Sequence, residues 1–200
     1  MQKLYLMCGY SFSGKSYVAN LISQKTGAII ISLDKINEER GFDNNNEIPR
    51  DEWENTHKIA LDKLENYLKN GKSVIIDDTN PLFKLRERFR KVATSKNIQT
   101  TVVYIDISIE EIEKRIKEVE LNNARHIAPQ KAREGLISMF QKPDPNVENV
   151  LIYNTKNNIS DWVKKIFSFS LPTQQNMLGY AYLYSNQDFV NQFPQVIVAQ

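Results

Sequence analysis

The most specific chemistry in the chain lies in eight residues near its amino end, Gly9-Tyr10-Ser11-Phe12-Ser13-Gly14-Lys15-Ser16. Their spacing fits G-x-x-x-x-G-K-[ST], and each part has a physical task. Glycines let the backbone wind tightly enough for successive N–H groups to face one anion. The loop feeds a helix N-terminus, whose partial positive charge adds to the attraction. Lys15 is placed to bridge β- and γ-phosphates, the Ser16 hydroxyl is an oxygen ligand suited to Mg²⁺, and Tyr17 follows in the first helical turn. Residues Gly9 to Tyr17 are therefore expected to hold a nucleoside triphosphate, with ATP and Mg²⁺ as its occupants. Phe12 stands where many such loops have a third glycine. It reads either as a ring packed over the loop or as a wall of a substrate pocket.

A phosphate in transit needs an oriented acceptor, a metal and positive charge around it. Candidates for the first two are carboxylates at strand ends, because ligands of open α/β sheets gather beyond the carboxyl ends of the strands. Asp34 follows the β-branched run Ala28 to Leu33. It can accept a hydroxyl proton as general base, or cap the next helix, or both. Asp77 closes Val74-Ile75-Ile76 and resembles the acid that holds Mg²⁺ through water. Asp78-Thr79-Asn80-Pro81 reads as a turn in its own right. Positive charge comes from Lys84, Arg86, Arg88, Arg90 and Lys91, set against the single acid Glu87. This is either a solvated helix face or, with Arg86 turned inward, a surface for a nucleic-acid backbone. Arg115 and Arg125 are the candidates for a lid over the phosphates, although Arg115 also has an ion-pair partner, Glu111, one turn away. His57 falls inside an amphipathic helix and His126 in a polar loop, which makes neither a strong candidate for proton transfer.

These side chains need a frame that brings strand ends together. Strand-like runs at Lys3 to Cys8, Ala28 to Leu33, Ser73 to Asp77, Thr100 to Ile107 and Val147 to Tyr153 alternate with helical periodicity. The helices are expected over Gly14 to Thr26, Arg50 to Asn70, Pro81 to Lys96, Ser108 to Leu121, Pro129 to Gln141 and Asp161 to Phe169. Gly41 to Pro49, with three consecutive asparagines, reads as a loop. Alternation of this kind predicts an α/β P-loop fold, a three-layer sandwich around a mainly parallel five-stranded sheet, with a helical lid at about residues 115–130.

The order Gly9 to Ser16, Ile31-Ser32-Leu33-Asp34 and Val74-Ile75-Ile76-Asp77-Asp78-Thr79-Asn80, followed by Arg86, resembles the P-loop kinase group that contains the kinase domain of phage polynucleotide kinase, with zeta toxins and chloramphenicol phosphotransferase as more distant relatives. The likeness covers roughly residues 1–145 and implies an ATP-dependent phosphotransferase. In such a kinase the match to Asp34 is the general base. The match to Asp78 helps hold the acceptor, with Thr79, Asn80 and Arg86 beside it, and a lid arginine touches the phosphates. Two features depart from the group's pattern. Asn37 stands where an arginine usually follows the base, with Arg40 one turn further on, and the segment from Arg115 to Pro129 is longer. The acceptor implied is a polynucleotide 5′-hydroxyl or a small alcohol. The competing reading is a nucleotide-sensing switch or interaction protein, which would have no need of Asp34.

Composition bounds the rest. The chain has 200 residues, 41% hydrophobic and 25% charged, which is the make-up of a globular domain. Its formal net charge of +2 gives no bulk electrostatic case for nucleic acid. One cysteine excludes an internal disulfide and suits a cytoplasmic location, and no apolar run reaches the roughly 18 residues of a membrane span. Residues 1–169 are expected to form the kinase-like domain. In 170–200 the only charged residue is Asp188, while Tyr180, Tyr182, Tyr184, Phe189 and Phe193 are aromatic. That segment is expected to dock on the core or on another subunit, making a homo-oligomer.

Overall fold

The computed structural model describes residues 1–42, 48–122, 127, 129–154 and 158–167. Five strands, β1 (Lys3–Cys8), β2 (Ile29–Ser32), β3 (Val74–Asp77), β4 (Gln99–Ile105) and β5 (Val150–Tyr153), form one sheet in the order β2-β3-β1-β4-β5. Every pairing is parallel. Seven helices are described: α1 (Lys15–Thr26), α2 (Leu33–Glu39), α3 (Arg50–Lys69), α4 (Phe83–Thr94), α5 (Ile109–Asn122), α6 (Gln130–Met139) and α7 (Ile159–Phe167).

Successive strand residues face opposite ways, and the two faces are covered separately. Leu4, Leu6, Cys8, Val74, Ile76, Val102 and Tyr104 pack beneath α2, α3 and α4 through Leu33, Ile36, Ala60, Leu64, Phe89 and Ala93. Tyr5, Met7, Ile75, Val103 and Ile105 pack beneath α1, α5 and α7 through Val18, Ile22, Ile112, Ile116 and Trp162. The result is the expected helix–sheet–helix sandwich, whose near-continuous apolar strands suit a sheet buried on both faces.

Register aligns the strand ends that matter. Leu6 lies beside Ile76, and Ile76 beside Ile31, with Ser32 opposite Asp77. The residues just past β1, β2 and β3 therefore open on one rim. Two local details differ from the sequence reading. The cap of α2 is Ser32, whose hydroxyl accepts from the Lys35 amide at 3.3 Å, so Asp34 sits inside the first turn instead of capping it. β5 begins at Val150, because Val147 and Glu148 turn back on the Asp144 carbonyl at 3.0 and 2.8 Å. Arg125, His126 and the segment 170–200 lie outside the described residues, as does most of the loop expected over Gly41 to Pro49.

Candidate active site

The loop from Gly9 to Ser16 joins β1 to α1 in the strand–turn–helix setting its motif requires. Gly9 has φ +142, and a Cβ there would lie 2.8 Å from the Ile105 carbonyl oxygen, so no other residue fits. Gly14 has φ +100 and ends the loop where α1 begins. Between them Phe12 takes φ 63, a left-handed conformation that costs a non-glycine residue about 1–3 kcal/mol. Its ring packs on the cluster beneath α1 and α5. The sequence offered that packing as one of two readings, and it explains why a bulky residue is tolerated at a crowded position.

Lys15 is only 8% exposed. Its Nζ donates to the Tyr10 carbonyl at 2.7 Å, which curls the side chain back over the loop. Burial lowers the ammonium's pKa, while Asp77, Asp78 and Asp34 act against that shift. Those three carboxylates therefore share the lysine's neighbourhood, the arrangement expected of the rim. Ser16 is exposed and hydrogen-bonds Asp77. Burial raises the Asp77 pKa, against the lowering influence of Ser16 and Lys15. A half-buried carboxylate beside a hydroxyl is a pair of hard oxygen donors of the kind Mg²⁺ prefers. Tyr17 lies on the outer face of α1, its hydroxyl 2.9 Å from Ser160 Oγ.

The turn after β3 plays a different part from the one expected. Gly9 N–H donates to the Thr79 carbonyl at 3.2 Å, and Asn80 Nδ2 donates to the Met7 carbonyl at 2.8 Å. Asn80 is fully buried at φ 44, which asparagine tolerates better than most residues. Thr79 and Asn80 thus hold the base of the phosphate loop. Asp78 accepts from the Asn80 amide at 3.3 Å and stays near the rim.

Arg86 corrects the sequence reading. It is 1% exposed, and its guanidinium grips Glu148 through Nε and Nη2 at 2.9 and 2.8 Å. Nη1 donates to the Asn80 and Gln141 carbonyls at 2.9 and 3.1 Å. Four of its five donors are spent inside the protein, which leaves it a scaffold residue and not an acceptor ligand. The other arginines of the α4 cluster are also committed, while Lys84 and Lys91 are exposed. Arg88 forks onto Glu54 at 2.7 and 3.0 Å, and Arg90 pairs with Glu87 and Glu148. Arg40 is held by Glu52 and Thr56 and stacks over Phe42, so it does not stand in for an arginine at Asn37. Asn37 itself is buried and accepts from Thr56.

Arg115 comes from α5 to the loop. Its Nη1 donates to the Phe12 and Ser13 carbonyls at 3.2 and 3.0 Å, and its Nε donates to Glu111 at 2.9 Å. Beside the loop, Tyr10, Ser11, Ile112, Ile116, Arg133 and Ile137 line a narrow cleft between loop, α5 and α6. Glu148 and Gln141 were missed in the sequence, since each acts through partners some sixty residues away. His57 is buried between Trp53 and Phe89, and burial lowers its pKa, in keeping with a core-edge role.

Sheet order, loop and rim together define an α/β P-loop phosphate-binding domain. The chain belongs to the AAA_33 family, described as an AAA domain, which it matches over residues 4–143. It is 24% identical over 184 residues to the protein named Putative bifunctional polynucleotide phosphatase/kinase from Acanthamoeba polyphaga mimivirus. That match covers 84% of this chain but only 38% of the viral protein's length. Among solved structures, the APS kinase of Mycobacterium tuberculosis in complex with AMPPNP and APS superposes with a TM-score of 0.63 at 19% identity, over 84% of this chain and 96% of that one. A sugar kinase from Janibacter sp. gives 0.64 at 13% identity, over 84% and 94%. The fold is that of the P-loop kinases.

Proposed function

We propose that the protein is an ATP-dependent kinase that transfers the γ-phosphate to a hydroxyl acceptor. The observation that carries this reading is the gathering of Asp34 and Asp77 around Lys15 on the rim of the phosphate loop. Loop amides and the α1 N-terminus suit a polyphosphate, and Lys15 is one short side-chain swing from bridging it. Ser16 and Asp77 would hold Mg²⁺, which when bound neutralises charge on the phosphates.

Asp34 stands in the first turn of α2, exposed on the rim. Its carboxylate takes the proton of the acceptor hydroxyl as the new O–P bond forms, and the bond between the β–γ bridging oxygen and phosphorus breaks to release ADP. The cap of α2 is made by Ser32 and not by the Asp34 carboxylate. A nucleotide-sensing switch would have no use for that carboxylate.

The acceptor is either a polynucleotide 5′ end, favoured by the name of the viral relative, or a small alcohol, favoured by the internal pairing of the α4 arginines. Incubation with γ-labelled ATP and a panel of 5′-hydroxyl DNA, 5′-hydroxyl RNA and small alcohols tests the assignment. Label is expected on one acceptor class, in a reaction that needs Mg²⁺. Tight ATP binding with no label on any hydroxyl would favour the switch.

A further inference from the structure

We infer that Arg115 is a positioning residue for the phosphate loop, holding the left-handed turn at Phe12 so that the Gly14 amide faces the anion. One nitrogen, Nη1, donates to two consecutive carbonyls, those of Phe12 and Ser13. The peptides are trans, so drawing these oxygens toward α5 turns the paired N–H groups the other way. The Ser13 N–H is then spent on the Tyr10 carbonyl at 3.2 Å, closing the turn, and the Gly14 N–H is left pointing from the opposite side of the loop to Arg115. Glu111 fixes the guanidinium through Nε at 2.9 Å, one helical turn before Arg115.

The backbone under this clamp is the loop's one non-glycine residue at positive φ, Phe12. A strained conformation persists only where its surroundings over-determine it, and two charge-assisted hydrogen bonds on the Phe12 and Ser13 carbonyls fix the chain on the C-terminal side of that turn. The same guanidinium lies 3.7 Å from where a Cβ on Gly14 would sit, so the clamp closes directly on the glycine that ends the loop. Arg115 therefore acts through the loop's geometry, whereas a lid arginine would act on the phosphate itself.

The two roles separate in a suppressor experiment. In Arg115→Met, amide hydrogen exchange across residues 10–17 of the nucleotide-free protein is expected to rise about tenfold, and ATP to bind about tenfold more weakly. Adding Phe12→Gly, which makes the turn unstrained, is expected to restore most of both losses. Arg115→Lys, which keeps the charge and can reach one carbonyl, is expected to fall about threefold short of wild type and serves where the Met variant folds poorly. Unchanged loop exchange in Arg115→Met, or failure of Phe12→Gly to rescue it, overturns the inference. The inference rests on the kinase reading only for the identity of the ligand. Wild-type protein that binds no ATP sinks that reading, whereas the exchange measurement still decides the role of Arg115.

Discussion

Asp77 is a half-buried carboxylate whose titration bears on stability. Burial raises its folded pKa above the ordinary value, so the folded protein holds this proton more tightly than the unfolded chain. The sign follows from linkage. Stability from this group is present below the unfolded pKa and is lost as pH rises from the ordinary value through the raised folded one. At neutral pH the bare carboxylate is a cost that a bound cation relieves. Asp77→Asn is therefore expected to melt higher than wild type in the absence of metal at about pH 7 and, with Asp77 as the proposed Mg²⁺ ligand, to gain less stabilisation from added Mg²⁺ and ATP than the parent. Thermal melts with and without Mg²⁺·ATP check both halves. His57 works in the opposite pH range. Its pKa is lowered by burial, so the unfolded chain takes up the proton first and stability falls as pH drops below the ordinary histidine value of about 6.5. Replacing His57 with Phe, which fits the neighbouring Trp53 and Phe89 rings, is expected to flatten the stability profile between about pH 5 and 7, read as denaturation midpoints.

Secondary elements reach the site through contacts distant in sequence. Arg86 from α4 joins the turn after β3, the residue that ends the α6 segment and the approach to β5. Gln141 adds a second tie, since its Oε1 accepts the Phe83 amide at 2.9 Å at the otherwise uncapped start of α4, and its own N–H donates to Pro81 at 2.7 Å. Arg86→Ala leaves Glu148 a buried carboxylate with only Arg90 beside it. The variant is expected to lose about 3–5 kcal/mol in urea unfolding, while the double variant Arg86→Met, Glu148→Leu loses less, because no charge is left stranded. What could be read from sequence divides along the same line. Lys3 to Cys8, the helix stopped at Gly27 and the long α3 were legible because their signals are local: apolar runs, periodicity and terminal glycines. The phosphate loop was legible because its chemistry is contiguous. The fate of Arg86 was not, since its partner Glu148 lies 62 residues away and neither local spacing nor composition records that pairing. The cap of α2 was misread by two residues because Ser32 and Asp34 are both favoured cap types, and only the backbone path chooses between them.

Charge over the whole molecule bears on the acceptor. Net charge is only +2, and Arg86, Arg88 and Arg90 are neutralised by Glu148, Glu54 and Glu87. Should a polynucleotide prove to be the acceptor, α4 offers it the exposed Lys84 and Lys91, its arginines being paired internally. The salt dependence of oligonucleotide binding is then expected to correspond to about two phosphate contacts or fewer, and a steep slope would contradict the view of α4 as internally paired. No described helix is long and apolar enough to cross a membrane.

The proposed kinase divides labour across its rim: the loop would bind the triphosphate, and the acid beyond β2 would activate the alcohol. Asp34→Asn separates the two directly, measured as ATP affinity and as transfer to the acceptor found in the labelling screen. Affinity is expected to stay within about threefold of wild type while transfer falls by about a hundredfold or more. Transfer that survives the substitution, or ATP binding that collapses along with it, would contradict the proposed role of Asp34 and with it the assignment.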